Sequence, residues 1–333
     1  MIEALIDYGL FLAKTLTVAL AIGVLLILVV RSRRGQHGDG DRLEVTDLNG
    51  KYQDMARALK RATMPKKAFV KALKSDRKER KRREKESDSA RRRIFVIDFH
   101  GDIKATEVAN LREIVTGVLM EAGEDDEVLV RLENAGGVVT EHGLAASQLT
   151  RIRDREVLLT IAVDKVAASG GYLMACVAQR IIAAPFAIVG SIGVVAQLPN
   201  FHRLLERGGV DFELHTAGEY KRTLTLFAEN SDEGRAKLRE QLEDTHTLFK
   251  DFIHEYRSEV DLERVATGEY WHGIQALNLG LVDEVKTSDD YLMDASADAD
   301  IYLVAYSVHK KPVERLLASI QGAVARVLTG LVS

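Results

Sequence analysis

From Ile94 onward the apolar positions of the chain fall into two rhythms. Short runs that are nearly continuous, "IFVIDFHG", "EVLVRLENAGG", "VLLTIAVD" and "IIAAP", end in polar residues, Gly or Pro and read as buried strands. Between them "ANLREIVTGVLMEAG", "TEHGLAASQLTRIR" and "SGGYLMACVAQR" carry helical spacing. Strands alternating with helices of this length predict βαβ units on a parallel sheet, an α/β fold. No internal repeat interrupts the series. The uncharged stretch Ile181 to Phe201, "IIAAPFAIVGSIGVVAQLPNF", is long enough to suggest a membrane span. Its two prolines, two glycines, Gln197 and Asn200 instead predict strand and turn inside the core.

Upstream the pattern differs. "GLFLAKTLTVALAIGVLLILVV", Gly9 to Val30, is 22 residues broken only by Lys14, and a bilayer core needs about 20. The acidic start "MIEALIDYG" and the "RSRRGQ" that follows the run lack the marks of a cleaved signal, so residues 1–34 are expected to be a retained N-terminal transmembrane anchor. Residues 35–93 form a basic juxtamembrane region. Between Lys60 and Arg93 there are 16 Lys and Arg against 5 Asp and Glu, although the whole chain carries a net −4. The plain reading is a solvated helix or tether; the sharper one is a strip that holds anionic lipid headgroups. Nucleic acid is disfavoured, because no aromatic interleaving or binding module accompanies the charge. The body of the chain is expected at 94–308. Beyond it, Val313, Leu316, Leu317, Ile320, Val324, Val327, Leu328 and Leu331 make an amphipathic helix of 309–333, expected to dock on a partner subunit or on the domain itself.

One cysteine, Cys176, excludes an intrachain disulfide. No H-E-x-x-H or C-x-x-C pattern is present, so no metal and no cofactor are expected. Chemistry is expected instead at three Gly-containing loops that follow strand-like runs: "NAGG" (134–137), "ASGG" (168–171) and "GSIGV" (190–194). None matches G-x-S-x-G, G-x-G-x-x-G or a P-loop. Ser169, at a strand-to-helix junction, either caps the helix or acts as a nucleophile. A nucleophile needs a base. His142, His202, His215 and His272 lie in no obvious partner motif, and Lys221, after the strand-like "VDFELHTA", is one lysine among many. Bringing a lysine from about 10.4 to about 7–8 takes roughly 4 kcal/mol of desolvation or like-charge repulsion.

Taken in order, "ENAGGVV", "DKVAASGGYLMACVAQRIIAAPFAIVGSIGV", "GEYKRTLT" and "GEYWHGIQALNLGLVDEV" resemble peptidase family S49, the signal peptide peptidase A type. The resemblance covers nearly the whole chain, and the ordered set is far more specific than any one motif. It implies a ClpP/crotonase-type fold and a serine endopeptidase of the bacterial inner membrane with a Ser–Lys dyad. By the same resemblance Ser169 is the nucleophile and Lys221 the general base. Gly136 or Gly137, with Gly170, supplies the oxyanion-hole N–H groups, and Ser191 is placed to orient Lys221. The sequence departs from the family's Asn-Ser-Pro-Gly-Gly by reading Asn134-Ala135-Gly136-Gly137, without the stiffening proline. Single-copy members imply a homo-oligomer in which Lys221 of one protomer serves Ser169 of its neighbour, acting on a peptide or protein substrate. Two rival readings remain: a crotonase-like acyl-CoA enzyme, or a non-catalytic membrane scaffold on the same fold.

Overall fold

The computed structural model describes residues 42–86 and 91–307, besides Lys14, Thr15 and Thr17. The anchor expected within 1–34 and the helix expected at 309–333 lie outside the described residues, apart from those three positions. The chain divides into two compact units, Val45–Ala305 and one made of Met1–Glu44 with Tyr306–Ser333. The first holds every residue of the candidate site.

Strand β1 (Arg42–Asp47) leads into helix α1 (Leu48–Thr63), whose first turn is capped by Asp47 accepting the Gly50 N–H at 3.0 Å. Helix α2 (Lys66–Glu86) follows Pro65. The alternating series then comes as expected: β2 (Arg93–Gly101), α3 (Val108–Glu121), β3 (Glu127–Asn134), α4 (Val139–Arg153) and β4 (Leu158–Val163). Short elements follow closely, β5 (Val166–Ala168), α5 (Gly170–Ala175), β6 (Arg180–Ala183) and β7 (Ile188–Gly190). The remainder comprises α6 (His202–Arg207), α7 (Asp232–Tyr256), α8 (Leu262–Val265), β8 (Tyr270–His272), α9 (Gly273–Asn278), β9 (Glu284–Val285), α10 (Ser288–Ala295) and β10 (Asp300–Ser307).

The result is a mixed α/β fold. One path of the sheet runs β1-β10-β2-β3-β4-β6-β9, and β5, β7 and β8 branch from β3. Strands β10, β2, β3, β4, β6 and β9 pair in parallel along that path, as do β3 with β5 and β5 with β7; β7 with β8 is antiparallel. Helix α3 buries Val108, Leu111, Val115 and Val118, an i, i+3, i+7, i+10 stripe. On the other side of the sheet Ile94, Val96, Leu129, Ala162 and Ile182 pack with Leu48, Tyr291 and Leu292, so α1 and α10 cover that face. The stretch 181–201 is core only in its first part. Ile181, Ile182, Val189 and Ile192 are buried, whereas residues 195–201 are exposed and form no strand.

Two parts of the chain differ from their sequence reading. Within 35–93 the described residues 48–63 and 66–86 are helical and those up to 78 are largely exposed, yet Leu48 and Asn49 are built into the core. Leu48 is buried, and Asn49 accepts the Ile301 N–H at 2.7 Å while donating to Ala299 O at 3.1 Å. "VDFELHTA", expected as a strand, is exposed and pairs with no strand among the described residues. A strand needs a neighbour to satisfy its N–H and C=O groups, and periodicity says nothing about whether one is present.

Candidate active site

The parallel registers bring the three Gly-containing loops to one place. Asn134 at the end of β3 pairs with Ala167 of β5, and Ala168 of β5 pairs with Gly190 of β7. "NAGG", "ASGG" and "GSIGV" therefore leave the carboxyl ends of three adjacent strands, where open α/β sheets place their sites. The Ser169 N–H donates to Gly190 O at 2.8 Å, tying the second loop to the third.

Ser169 occupies the turn between β5 and α5 with φ +53° and ψ −119°. It stands at the N-cap position, but its side chain makes no capping hydrogen bond. The hydroxyl is thus not spent on the helix, and the backbone strain there is the kind that clusters at functional sites. The Gly170 N–H, first of the helix, is donated to no described residue; neither is the Gly137 N–H. The Gly136 N–H, by contrast, donates to Asn134 Oδ1 at 2.7 Å. Gly136 has φ +87°, and a Cβ there would lie 2.7 Å from Ser169 Cβ and 2.9 Å from the Gly170 nitrogen. Only glycine lets this loop close on Ser169.

Beneath the loops lie two buried polar side chains, Asn134 and His142. His142 points Nε2 at Asn134 Oδ1 (3.1 Å) and Nδ1 at Val138 O (2.9 Å). Both ring nitrogens face these two oxygens rather than Ser169, so His142 is not placed to take its proton. Among the other histidines considered, His215 is exposed beside Glu213 at 3.1 Å, and His272 Nδ1 faces Phe186 O at 3.2 Å. Burial pushes the Cys176 thiol strongly upward, so this cysteine is no thiolate nucleophile.

Lys221 is exposed, and no hydrogen bond or ion pair joins its amine to Ser169 or to any other described residue. The segment that carries it, 193–227, is irregular apart from α6 and exposes Val195 (78%), Leu204 (66%), Val210 and Phe212. Ser191 is half-buried with φ +50°, its N–H donated to Glu269 O at 2.6 Å. A cavity of about 270 Å³ elsewhere on the sheet is lined by Asp98, His100, Arg131, Glu133, Asp164 and Lys165. None of the expected site residues lines it. Its charges are largely spent on partners: Arg131 on Asp98, Lys165 on Glu133, and Asp164 on Ser288.

Comparison with known proteins bears on this geometry. The model for the N-terminal part of peptidase family S49 matches residues 3–149, and the model for peptidase family S49 itself matches residues 151–302. The chain belongs to peptidase family S49. A relative from Haemophilus influenzae, named probable protease SohB, is 42% identical over 324 residues, covering 94% of this chain and 92% of that one. Another of that name, from Buchnera aphidicola subsp. Schlechtendalia chinensis, is 42% identical over 302 residues, covering 87% of this chain and 99% of its own. A solved structure of the 1510-N membrane-bound stomatin-specific protease covers 62% of this chain and 84% of its own, at 14% identity and a TM-score of 0.42. That last likeness decides nothing about this chain. Sequence reasoning places Asn134 in the first loop and weighs His142 only as a base, giving neither a part beneath the loops. The one signal for His142 is a polar residue on the apolar face that α4 shares with Ala145, Ala146 and Leu149.

Proposed function

We propose that this S49 peptidase is a membrane-anchored serine endopeptidase on a ClpP/crotonase-type fold, with Ser169 as nucleophile and Lys221 as general base. The observation that carries the reading is the convergence of three loops on Ser169, with its hydroxyl, and the N–H groups of Gly137 and Gly170, bonded to no described residue. Ser169 Oγ attacks the scissile carbonyl while its proton passes to the lysine amine. Negative charge develops on the carbonyl oxygen, and the N–H groups of Gly170 and Gly137 receive it. Gly136 shapes the loop, since its own N–H is held by Asn134. The protonated lysine then delivers its proton to the leaving amine, and water releases the acyl group by the same path in reverse. Each oxyanion donor is worth about 10²–10³ in rate.

The lysine comes from a second copy of the chain. A lysine acts as a base only where water is largely excluded from it. Lys221 is exposed in the single chain, on a segment whose apolar residues also face solvent. Packing of that segment against a neighbouring protomer would cover both, and a head-to-tail contact of this kind closes into a ring. Ser191, beside Ser169 on the third loop, would orient the incoming amine. The apolar run 9–30 anchors the protein in the bacterial inner membrane. Peptides or unfolded segments near the membrane are the substrates.

A serine-reactive fluorophosphonate tests the reading. It should label Ser169 in the wild-type protein and fail to label Lys221→Ala. Lys221→Arg should be equally silent, because a guanidinium keeps its proton. Ser169→Ala should lose peptide hydrolysis while remaining folded. An acyl-CoA enzyme or a scaffold would show no probe labelling that depends on Lys221, and hydrolysis surviving in Ser169→Ala would remove the nucleophile.

A further inference from the structure

We infer that His142 is a positioning residue for the oxyanion hole, holding both of its donor-bearing segments from below. The inference rests on Ser169 being the nucleophile. His142 is fully buried, on the first turn of α4. Its two ring nitrogens reach the two ends of the Asn134–Val138 loop: Nε2 to the Asn134 side chain at 3.1 Å, Nδ1 to the Val138 carbonyl at 2.9 Å. That loop contains Gly136 and Gly137. The ring also lies against the other donor. A Cβ on Gly170 would stand 2.5 Å from His142 Cγ and 2.6 Å from Cδ2, so the imidazole occupies the space beneath the Gly170 backbone. One side chain thus contacts the loop on one side of the hole and the helix start on the other.

The hydrogen-bond network fixes the direction of the key contact. Asn134 Oδ1 must be the atom facing Gly136, because it receives that N–H at 2.7 Å, and Nδ2 turns to Met174 Sδ at 3.5 Å. Reversing the amide would face one buried donor with another, at the cost of an unmade hydrogen bond. Both ring nitrogens of His142 then face acceptors; the proton on Nε2 donates to Oδ1, so that oxygen holds two N–H groups, and Nδ1 donates to Val138 O as well only when the ring is doubly protonated. Without the histidine, Oδ1 keeps a single weakly constrained partner, and the Gly136–Gly137 peptide loses the fixed point that aims the free Gly137 N–H. The missing proline of "NAGG" makes this the more telling, since the loop then owes its shape to contacts rather than to a fixed φ.

Three variants of the full-length protein separate this role from simple core filling. His142→Gln keeps a donor near the Nε2 position, His142→Asn keeps one only near Nδ1, and His142→Phe keeps neither while filling the space. With a peptide substrate, His142→Phe should lower kcat about tenfold to a hundredfold with KM within about twofold, the sign of an interaction used in the transition state. His142→Asn should fall equally, and His142→Gln should stay within about fivefold of wild type. Should the Phe variant fail to fold, the comparison of Gln with Asn decides: about a tenfold advantage in kcat for Gln supports the role. Equal kcat for Gln and Asn, or a folded Phe variant within about threefold of wild type, would overturn it. Hydrolysis retained in Ser169→Ala would instead remove the reading on which the inference stands, and that variant is measured in the same series.

Discussion

At φ +53° Ser169 holds a conformation that a non-glycine residue keeps only when its surroundings enforce it. The enforcement can be named atom by atom. Its N–H is bound by Gly190 O, the Gly136 backbone lies so near that a Cβ there would stand 2.7 Å from the Ser169 Cβ, and the helix that follows is packed against the end of β3. Gly171 shows how close that last approach is: a Cβ there would lie 2.2 Å from the backbone oxygen of Asn134. Backbone on both sides leaves no flexible atom to yield. Gly171→Ala should therefore cost about 1–3 kcal/mol of stability, as overpacking does. It should also reduce fluorophosphonate labelling of Ser169 by more than the lost folded fraction explains. Wild-type labelling at full wild-type stability would contradict the close packing.

Among the elements, β2 and β3 hold the sheet in register, and their paired ends are fixed by charge. Asp126, just before β3, is almost fully buried. It accepts from the Arg93 backbone N–H at 3.0 Å, from the Arg93 guanidinium at 2.6 Å and 3.1 Å, and from the Gly123 N–H at 2.8 Å. Burial alone would raise its pKa, but the hydrogen bonds from Arg93 and Gly123 together outweigh it and hold the carboxyl below its ordinary value of 3.8. A depressed carboxylate stabilises the fold in full above the unfolded pKa, and that contribution is lost as pH falls through the folded value. Asp126→Asn should cost about 1–3 kcal/mol at pH 7. The difference from wild type should shrink as pH is lowered below about 4. Thermal midpoints measured from pH 7 downward check it, and a difference independent of pH would argue against the carboxylate.

These elements also show what could be seen before any coordinates. The β2–α3–β3–α4–β4 series was legible because each element spans enough residues to display its period, and because central parallel strands are apolar on both faces. Ser169 and the three loops were legible as glycine breaks in that series. Leu48 and Asn49 were not, since one buried leucine and one bonded asparagine in a polar stretch make no period. The buried contacts of His142 were not, because they depend on an amide and a carbonyl that the fold, not the spacing, brings to its ring.

For the whole molecule, the segment 193–227 is a part whose apolar residues the single chain leaves exposed. It exposes Val195, Leu204, Phe212 and Tyr220 along with Lys221. If Lys221 serves the neighbour's Ser169, then mixing inactive Ser169→Ala protein with inactive Lys221→Ala protein should restore part of the activity, because mixed rings contain intact pairs. Peptide hydrolysis measured before and after subunit exchange reads this directly. No recovery despite demonstrated exchange would confine each site to one chain.

The lone cysteine gives all of these variants a common gauge. Cys176 lies wholly inside the packed unit, hydrogen-bonded to Leu173 O at 3.2 Å, with its thiol held protonated by burial. A thiol reagent can reach it only when the surrounding structure opens, so its modification rate counts openings. With one sulfhydryl per chain, the count needs no mapping of labelled sites. A slow reaction beside a dead active site marks a chemical defect, whereas a fast one marks a loosened interior. The protein thus carries its own internal clock for local unfolding, a few residues along the chain from the serine it helps to interpret.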